Sequence, residues 1–451
     1  LLTIEKRRQV ASSIKTNKLK AIFFALGSRG DIEPLFSLGE HLRKKNWEVL
    51  YVFPEQFRVM VELTDAKFYG FTKAFIDALL ESEQSKIITS KKGSAFSRIK
   101  TLYQLGKKSL QINKEVTLQQ KEIINIEKPD YVFFNQKCVY PIVWGMQGQN
   151  KSIFVHPFPC FLHSVDEHSI IGFSGGGNYG KILNRLSYLV QVFSLSAATY
   201  FTTRKLLKGE SKFKTNPLKI RKHLLQRILS IYTVSPTLFS PPSKWQANAK
   251  VVGFVERDKT QKWEPSITLR GFLKAHNKSK VLFATFGSIS NTDPLGKTKA
   301  IISAIEKYKT PTIINTSWGG LIEVEDCPEH VLFVKDIPYD WIFPKVYGVI
   351  HHGGAGTTHS AIKYGCASLI IPHFIDQFFW SDLIVDLKAG PKGPSIKRLN
   401  TDNFEQSLLE LITNESFKRN AEALSGKMQN KFDLDGLLED LQYIAYNKIL
   451  K

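Results

Sequence analysis

Short apolar runs that stop at a glycine or polar turn, each followed by helical periodicity, recur along nearly the whole chain. "AIFFAL" ends at Gly27, a helical pattern follows from Pro34 with Leu35, Leu38 and Leu42 on one face, and "EVLYVF" is the next run. Strand, helix and strand within about 30 residues make a βαβ unit, whose crossover forces the two strands parallel. "PDYVFFN" and "KSIFVHPFP" extend the series. The stretch "SPTLFSPPSKWQANAKVVGFVERDKTQKWEPS" then breaks it with proline, serine and charge. A second alternation follows through "KVLFATFGS", a helix near Leu295–Tyr308, "PTIINTS", "HVLFVKDIP", "YGVIHHGGAG" and "ASLIIPHF". The predicted fold class is therefore α/β, with two doubly wound Rossmann-like domains facing across a cleft. The boundaries read from the pattern are a basic extension over 1–19, a first domain over 20–240, a linker over 241–268, a second domain over 269–430 and a terminal helix over 431–451. Sheets of this kind bind ligands at the carboxyl ends of their strands.

Charge narrows the partners. The 451 residues carry 62 Lys and Arg against 41 Asp and Glu, a net +21, which points to an anionic partner or to solubility alone. Nucleic acid, an anionic membrane surface and a phosphorylated substrate are the candidates, and no DNA- or RNA-binding signature is present. The four cysteines, Cys138, Cys160, Cys327 and Cys366, form no CxxC or Cys/His cluster, as expected of free thiols in a reducing compartment. Residues 1–20 are basic and polar, without the apolar core of a secretory signal. The longest uncharged run, "LSYLVQVFSLSAATYFTT", is rich in Ser and Thr, which favours a buried or membrane-facing helix over a membrane span.

The densest chemistry lies in "VIHHGGAGTTHSAIKYGCASLIIPHFIDQ", from Val349 to Gln377. Gly353, Gly354 and Gly356 let the backbone approach a ligand closely. A helix expected from Thr357 onward would aim the N–H groups of Ala355 through Thr358 outward, and such a helix start binds phosphate. Thr357, Thr358 and His352 add side-chain donors, and Gly365 is placed to end the helix. No GK[ST] follows, so this is not a Walker loop, and the third glycine of the dinucleotide fingerprint is replaced by His359. Asp376 and Gln377 follow the next strand, where a carboxylate beside an amide suits vicinal hydroxyls; the bland alternative for Asp376 is a helix N-cap.

Three further clusters stand out. In "LGSRGDIEP", Asp31 is either an N-cap for the helix beginning near Pro34 or a general base facing the cleft, and Arg29 either pairs with Asp31 or attracts an anion. His156, His163 and His168, with Asp166 and Glu167, lack a metal-ligand spacing and read as cleft lining beside Phe158 and Phe161. Asp433 and Asp435 precede the last helix and read as capping residues.

Together "GSRGDIEP", "TFGSI", "SWGGL", "DIPYDWIFPKVYGVIHHGGAGTT" and "PHFIDQFFWSD", in this order, resemble glycosyltransferase family 1, the UDP-sugar-dependent enzymes of the GT-B fold. The likeness is to the branch of sterol glucosyltransferases and of macrolide and glycopeptide glycosyltransferases. It implies that the first domain binds an acceptor, the second a UDP-sugar, and that the last helix returns to the first domain. Carried over by motif, Ser288 and the corner His352, Gly354, Ala355, Gly356, Thr357 and Thr358 would hold the UDP diphosphate. Trp318, Asp336, Ile337 and Pro338 would line the uracil pocket. Asp376 and Gln377 would bind the sugar, and Ser28, Arg29, His156, Phe158 and Phe161 would face the acceptor. Asp31 would deprotonate the acceptor hydroxyl for inverting attack on the anomeric carbon, with no metal and no cofactor beyond the UDP-hexose co-substrate. The acceptor implied is an apolar alcohol such as a sterol, terpenoid, lipid or macrolide-like product, and the sugar is glucose or a related hexose. The lysine-rich stretch 86–121 and the aromatics from Phe154 to Phe161 fit a lipid acceptor met at an anionic membrane surface by a cytoplasmic, peripheral protein. The chain departs from the plant pattern in two places: the first loop has no His, and Ser360 stands for a ribose-binding Glu; within its own branch, Tyr339 stands for a His often found before the Trp341 segment. A UDP-sugar epimerase of the same fold, and a non-catalytic nucleotide- or nucleic-acid-binding protein, are the competing readings.

Overall fold

A computed structural model describes residues 18–71, 113–148, 151–170, 177–207, 214–257, 263–287, 293–316, 319–373, 376–428 and 432–446. Two all-parallel sheets organise them. The first contains β1 (Lys20–Phe24), β2 (Glu48–Pro54), β3 (Lys67–Phe71), β4 (Tyr131–Phe134), β5 (Ser152–His156), β6 (Leu229–Tyr232) and β7 (Ala249–Val251) in the order 3-2-1-4-5-6-7. The second contains β8 (Leu282–Thr285), β9 (Thr312–Asn315), β10 (Val331–Val334), β11 (Gly348–His351) and β12 (Ala367–Ile370) in the order 10-9-8-11-12. Both orders reverse direction at the first strand of the series, the doubly wound pattern. The central strands are continuous apolar runs because helices cover both faces, as for β1, β4 and β5.

Three strands do not follow from the apolar runs. β3 buries fully only Phe71 at the sheet edge, and β6 and β7 are four and three residues long. β7 lies inside the proline-rich stretch read as linker, so the first sheet continues past residue 240.

The first helix also differs from expectation. It spans Arg29–Lys44, with Ser28 as N-cap and Pro34 inside it rather than at its start. The Asp31 carboxylate accepts the Ser28 N–H at 2.9 Å, the reciprocal bond of a capping box, and this starts the helix before the proline.

The helix Leu434–Tyr446 lies on the first sheet, with Leu437 and Leu441 in that sheet's core. Tyr131 Oη donates to the Leu441 carbonyl at 3.0 Å, and Lys45 pairs with Asp435 at 3.0 Å. Asp433 caps this helix through the Gly436 N–H at 2.9 Å, so the acidic "DLD" is spent on structure.

The halves meet through one buried cluster that joins Phe158, Cys160 and Tyr188 to Phe379 and Trp380. The Ser235 N–H donates to His359 Nε2 at 3.1 Å, and the His359 ring stacks on Phe254 at 4.4 Å. Among the described residues no helix is long and apolar enough to cross a membrane. Of the lysine-rich stretch, 86–112 lies outside the described residues and 113–121 is helical.

Candidate active site

β11 is a central, fully buried strand that ends at His351, and the chain turns into the helix Ala355–Lys363 with Gly354 as N-cap. The helix thus starts two residues before Thr357. His351 Nδ1 accepts the Gly353 N–H at 3.2 Å and braces the turn. Gly353 has φ +87°, and a Cβ there would sit 2.7 Å from Ile370 Cγ2 and 3.1 Å from the Gln377 carbonyl oxygen. Only glycine lets the turn press this closely on the start of the next helix. Thr358 turns inward: its N–H, at 2.9 Å, and its hydroxyl, at 3.0 Å, both donate to the Gly354 carbonyl. The outward amides are therefore those of Ala355, Gly356 and Thr357, the first turn that a helix cannot satisfy from within. A Cβ on Gly356 would meet nothing within 4 Å, so this donor set opens onto space.

His352 is 8% exposed, and its Nδ1 has no partner among the described residues. Burial, with His351 and His373 beside it, pushes its pKa well below the usual value, so the ring is neutral and can donate one N–H. Tyr339 lies on the short helix Tyr339–Ile342, and its hydroxyl is 3.2 Å from Thr285 Oγ1 at the end of β8. Burial raises its pKa, while the Thr285 and Thr357 hydroxyls and the charge of Arg29 oppose that. Tyr339 therefore ties the end of β8 to the helix corner, within reach of a cation from the first half. Asp336 precedes it in the left-handed region, with φ +53°. Ile337 belongs to the core, and Pro338 is the N-cap of the short helix.

Asp376 and Gln377 open the helix Asp376–Asp386. Trp380 Nε1 donates to Asp376 Oδ2 at 3.2 Å, and Gln377 Oε1 accepts the His373 N–H at 2.7 Å. Asp376 is pushed up to about 7, first by burial and then by the negative charge of Asp31 from the other half. The charge of Asp31 thus reaches Asp376 from the other half.

Asp31 Oδ2 gathers the Ser28 N–H, the Ser28 hydroxyl at 3.2 Å and Lys137 Nζ at 3.5 Å. Among the described residues Oδ1 has no protein partner. Its side chain is 15% exposed. Asp31 is therefore the N3 residue of the capping box rather than the N-cap, and only its Oδ2 is engaged in that box. Arg29 does not pair with Asp31; it stands 3.5 Å from Glu33 one turn along the helix.

His156 ends β5, buried between the Phe154 ring at 4.2 Å and the Tyr232 ring at 4.6 Å, and burial drives its pKa well down. His163 Nδ1 lies 2.8 Å from Tyr232 Oη, and His168 Nδ1 lies 2.7 Å from the Ser169 carbonyl. Asp166 binds Arg185 at 2.7 Å and also pairs with Lys181 and Lys244, so it is a charge node rather than a ligand. Among the described residues no group of three His, Cys, Asp or Glu could hold a metal ion. Phe158 and Phe161 stand edge to face at 6.2 Å on the loop after β5. Ser288 and Trp318 lie outside the described residues.

Residues 300–433, which include the glycine-rich corner at 352–358 and the Asp376–Gln377 pair, match the family model described as the C-terminal domain of erythromycin biosynthesis protein CIII-like proteins. Over 99% of its length the chain is 27% identical to a sterol 3-beta-glucosyltransferase of Saccharomyces cerevisiae, and over its full length 26% identical to one of Komagataella phaffii. The chain spans 37% and 36% of the length of these two relatives. Along nearly its whole length the chain is thus similar to sterol glucosyltransferases. Solved glycosyltransferases show the same GT-B architecture. CalG4, the calicheamicin glycosyltransferase, superposes with a TM-score of 0.67 at 14% identity, covering 96% of this chain and 99% of its own. The glycotransferase of kitacinnamycin superposes with a TM-score of 0.63 at 15% identity, covering 94% and 99%.

Two residues near the candidate site carry no signal in the sequence that marks their role. Lys137 sits in the turn after β4 and reaches Asp31 only because β4 pairs with β1; no local signal marks it. Tyr339 was legible as a departure from the branch pattern, but its bridge to Thr285 and Thr357 needed the fold.

Proposed function

We propose that the chain catalyses inverting transfer of glucose, or a related hexose, from its UDP diphosphate to the hydroxyl of an apolar acceptor, with a sterol-like alcohol as the leading class. The observation that carries the reading is the open helix start at 355–357, pressed by Gly353 against Gln377 at the start of the helix that Asp376 opens. Asp376 and Gln377 hold the hexose hydroxyls next to the diphosphate seat. Asp31 Oδ1 takes the acceptor proton as the acceptor oxygen bonds to the anomeric carbon, and the bond from that carbon to the phosphate oxygen breaks on the opposite face. The electron pair leaves on UDP. The amides of Ala355, Gly356 and Thr357, with the neutral His352 N–H, stabilise the charge that grows there, so the reading requires no metal and no resident cofactor. Phe158 and Phe161 supply the apolar wall for the acceptor, and Ser288, Trp318 and the Asp336–Pro338 segment the nucleoside end. The matches to sterol 3-beta-glucosyltransferases support the acceptor class. We further propose that the chain works peripherally at a cytoplasmic membrane surface and takes no nucleic acid.

The test is UDP release from UDP-glucose with and without a sterol series. Acceptor-dependent release is expected. Turnover of the UDP-sugar without any acceptor would favour the epimerase, and binding of UDP with no turnover would favour a non-catalytic protein.

A further inference from the structure

The helix Lys181–Thr203 is built inside out. Of its eight buried residues only Val192 is aliphatic; the others include Asn184, Ser187, Ser196, Thr199 and Thr203. The hydroxyls of Ser187, Ser196 and Thr203 donate to carbonyls of their own helix at 2.6 to 2.7 Å, which lets this polar face be buried. The opposite face carries Ile182, Leu186, Leu189, Val190, Phe193 and Phe201, each at least half exposed. Their spacing of three, four and eight places them on one stripe about 30 Å long. A soluble surface helix normally faces the other way. Together with Leu218 of the neighbouring helix Pro217–Gln226, the stripe walls a shallow groove of ≈ 380 Å³ with Arg221 at its rim.

The surroundings decide what covers this face. From residue 204 to 227 the sequence carries nine Lys and Arg against one acid, Glu210. Arg204, Lys205, Lys219 and Lys222 are exposed beside the stripe, with no carboxylate partner among the described residues. A second copy of a chain of net +21 would meet this rim with repulsion, whereas an anionic bilayer matches both its apolar centre and its basic edge. The inner side of the helix backs onto the loop that carries Phe158 and Phe161: Tyr188 Oη donates to the His168 carbonyl at 3.1 Å, and Ser187 Oγ accepts the Ile170 N–H at 3.0 Å.

We infer that the outer face of helix 181–203, with the basic rim of Arg204, Lys205, Lys219, Arg221 and Lys222, is the surface that docks on an anionic lipid bilayer. It lies flat in the headgroup region and sets the acceptor loop directly behind the lipid. The inference deepens the proposed peripheral membrane role, and its test needs no reaction.

The purified chain is floated with phosphatidylcholine vesicles, with and without phosphatidylserine. Wild type is expected to bind the anionic vesicles, less so at high salt. Leu189→Ser with Phe193→Ser should lose at least about tenfold in affinity, and Lys219→Ser with Lys222→Ser should lose only the phosphatidylserine-dependent part. Both variants change exposed side chains, and a melting curve matching wild type confirms that they fold. Transfer to a water-soluble alcohol should be unchanged in both, so failure of the transferase reading and failure of the docking surface are separately visible. Equal vesicle binding by wild type and the apolar variant would overturn the inference. So would a concentration-dependent dimer that the apolar variant abolishes.

Discussion

Replacing Asp376 by Asn should stabilise the fold, and increasingly so with pH. The carboxyl is held at about 7 against an ordinary 3.8, by burial and by the charge of Asp31. A raised carboxyl means that between these values the folded chain keeps a proton the unfolded chain has released. Stability therefore falls as pH rises through that window, and the full loss is present above about pH 7. At 1.36 kcal/mol per unit the complete shift amounts to about 4 kcal/mol. Near pH 5 about a third to a half of this has been lost, so some 2–3 kcal/mol remains to be lost on going to pH 8. Asn keeps an acceptor for Trp380 Nε1 and never ionises. Equilibrium urea unfolding at both pH values should show the advantage of Asp376→Asn over wild type widening by about that amount, and the widening should shrink in an Asp31→Asn background. An advantage equal at the two pH values would refute the reasoning.

Other perturbations give independent checks. Gly353→Ala puts a methyl 2.7 Å from Ile370 Cγ2 at φ +87°, so it should cost about 1–3 kcal/mol in urea unfolding and weaken UDP binding in a titration. His359→Ala leaves the buried Ser235 N–H without its acceptor and removes the Phe254 stack; a loss of about 1–3 kcal/mol is expected from the unfolding midpoint. Glu127 is 4% exposed, and although burial opposes its ionisation, bonds from Lys20, Lys67 and Tyr69 hold it at about 2. The stability this carboxylate adds is present above its ordinary 4.5 and is lost as pH falls toward 2. Glu127→Gln should accordingly cost about 3 kcal/mol at neutral pH, with the gap to wild type narrowing by more than half near pH 3 in acid unfolding.

The parts of the fold legible in the sequence are those buried on both faces. β1, β2, β4 and β5, with β8, β9, β11 and β12, are buried runs covered by helices, and the edge strand β10 is still an unbroken apolar run, VLFV. β3, β6 and β7 lie at or toward the sheet edge, and their segments KFYGF, LSIY and AKV are interrupted by polar or small residues, so no apolar run marks them. Proline is common at a helix start, so Pro34 points to a first helix that begins there. Ser28 and Asp31, three residues apart, are a capping box, and that spacing is the signal that would have moved the boundary. The turn from β11 into the helix Ala355–Lys363 is legible from its glycines, yet which of its donors remain available is not. Thr358 carries the same side chain as Thr357, and only the helix geometry shows that its N–H and hydroxyl are both taken by Gly354. The influence of Asp31 on Asp376 joins residues 345 positions apart at the starts of two helices in different halves, and no local pattern could reveal it.

The most direct test of the account is transfer by Asp31→Asn, measured beside its binding of UDP-glucose by calorimetry. Asn keeps the size of the side chain and an acceptor for the Ser28 N–H, so the helix start and the donor site should survive and UDP-glucose should bind as in wild type. The acceptor proton then has nowhere to go, and transfer to a sterol should fall at least about a hundredfold. Full transfer by the variant would contradict the assignment of Asp31 as the base.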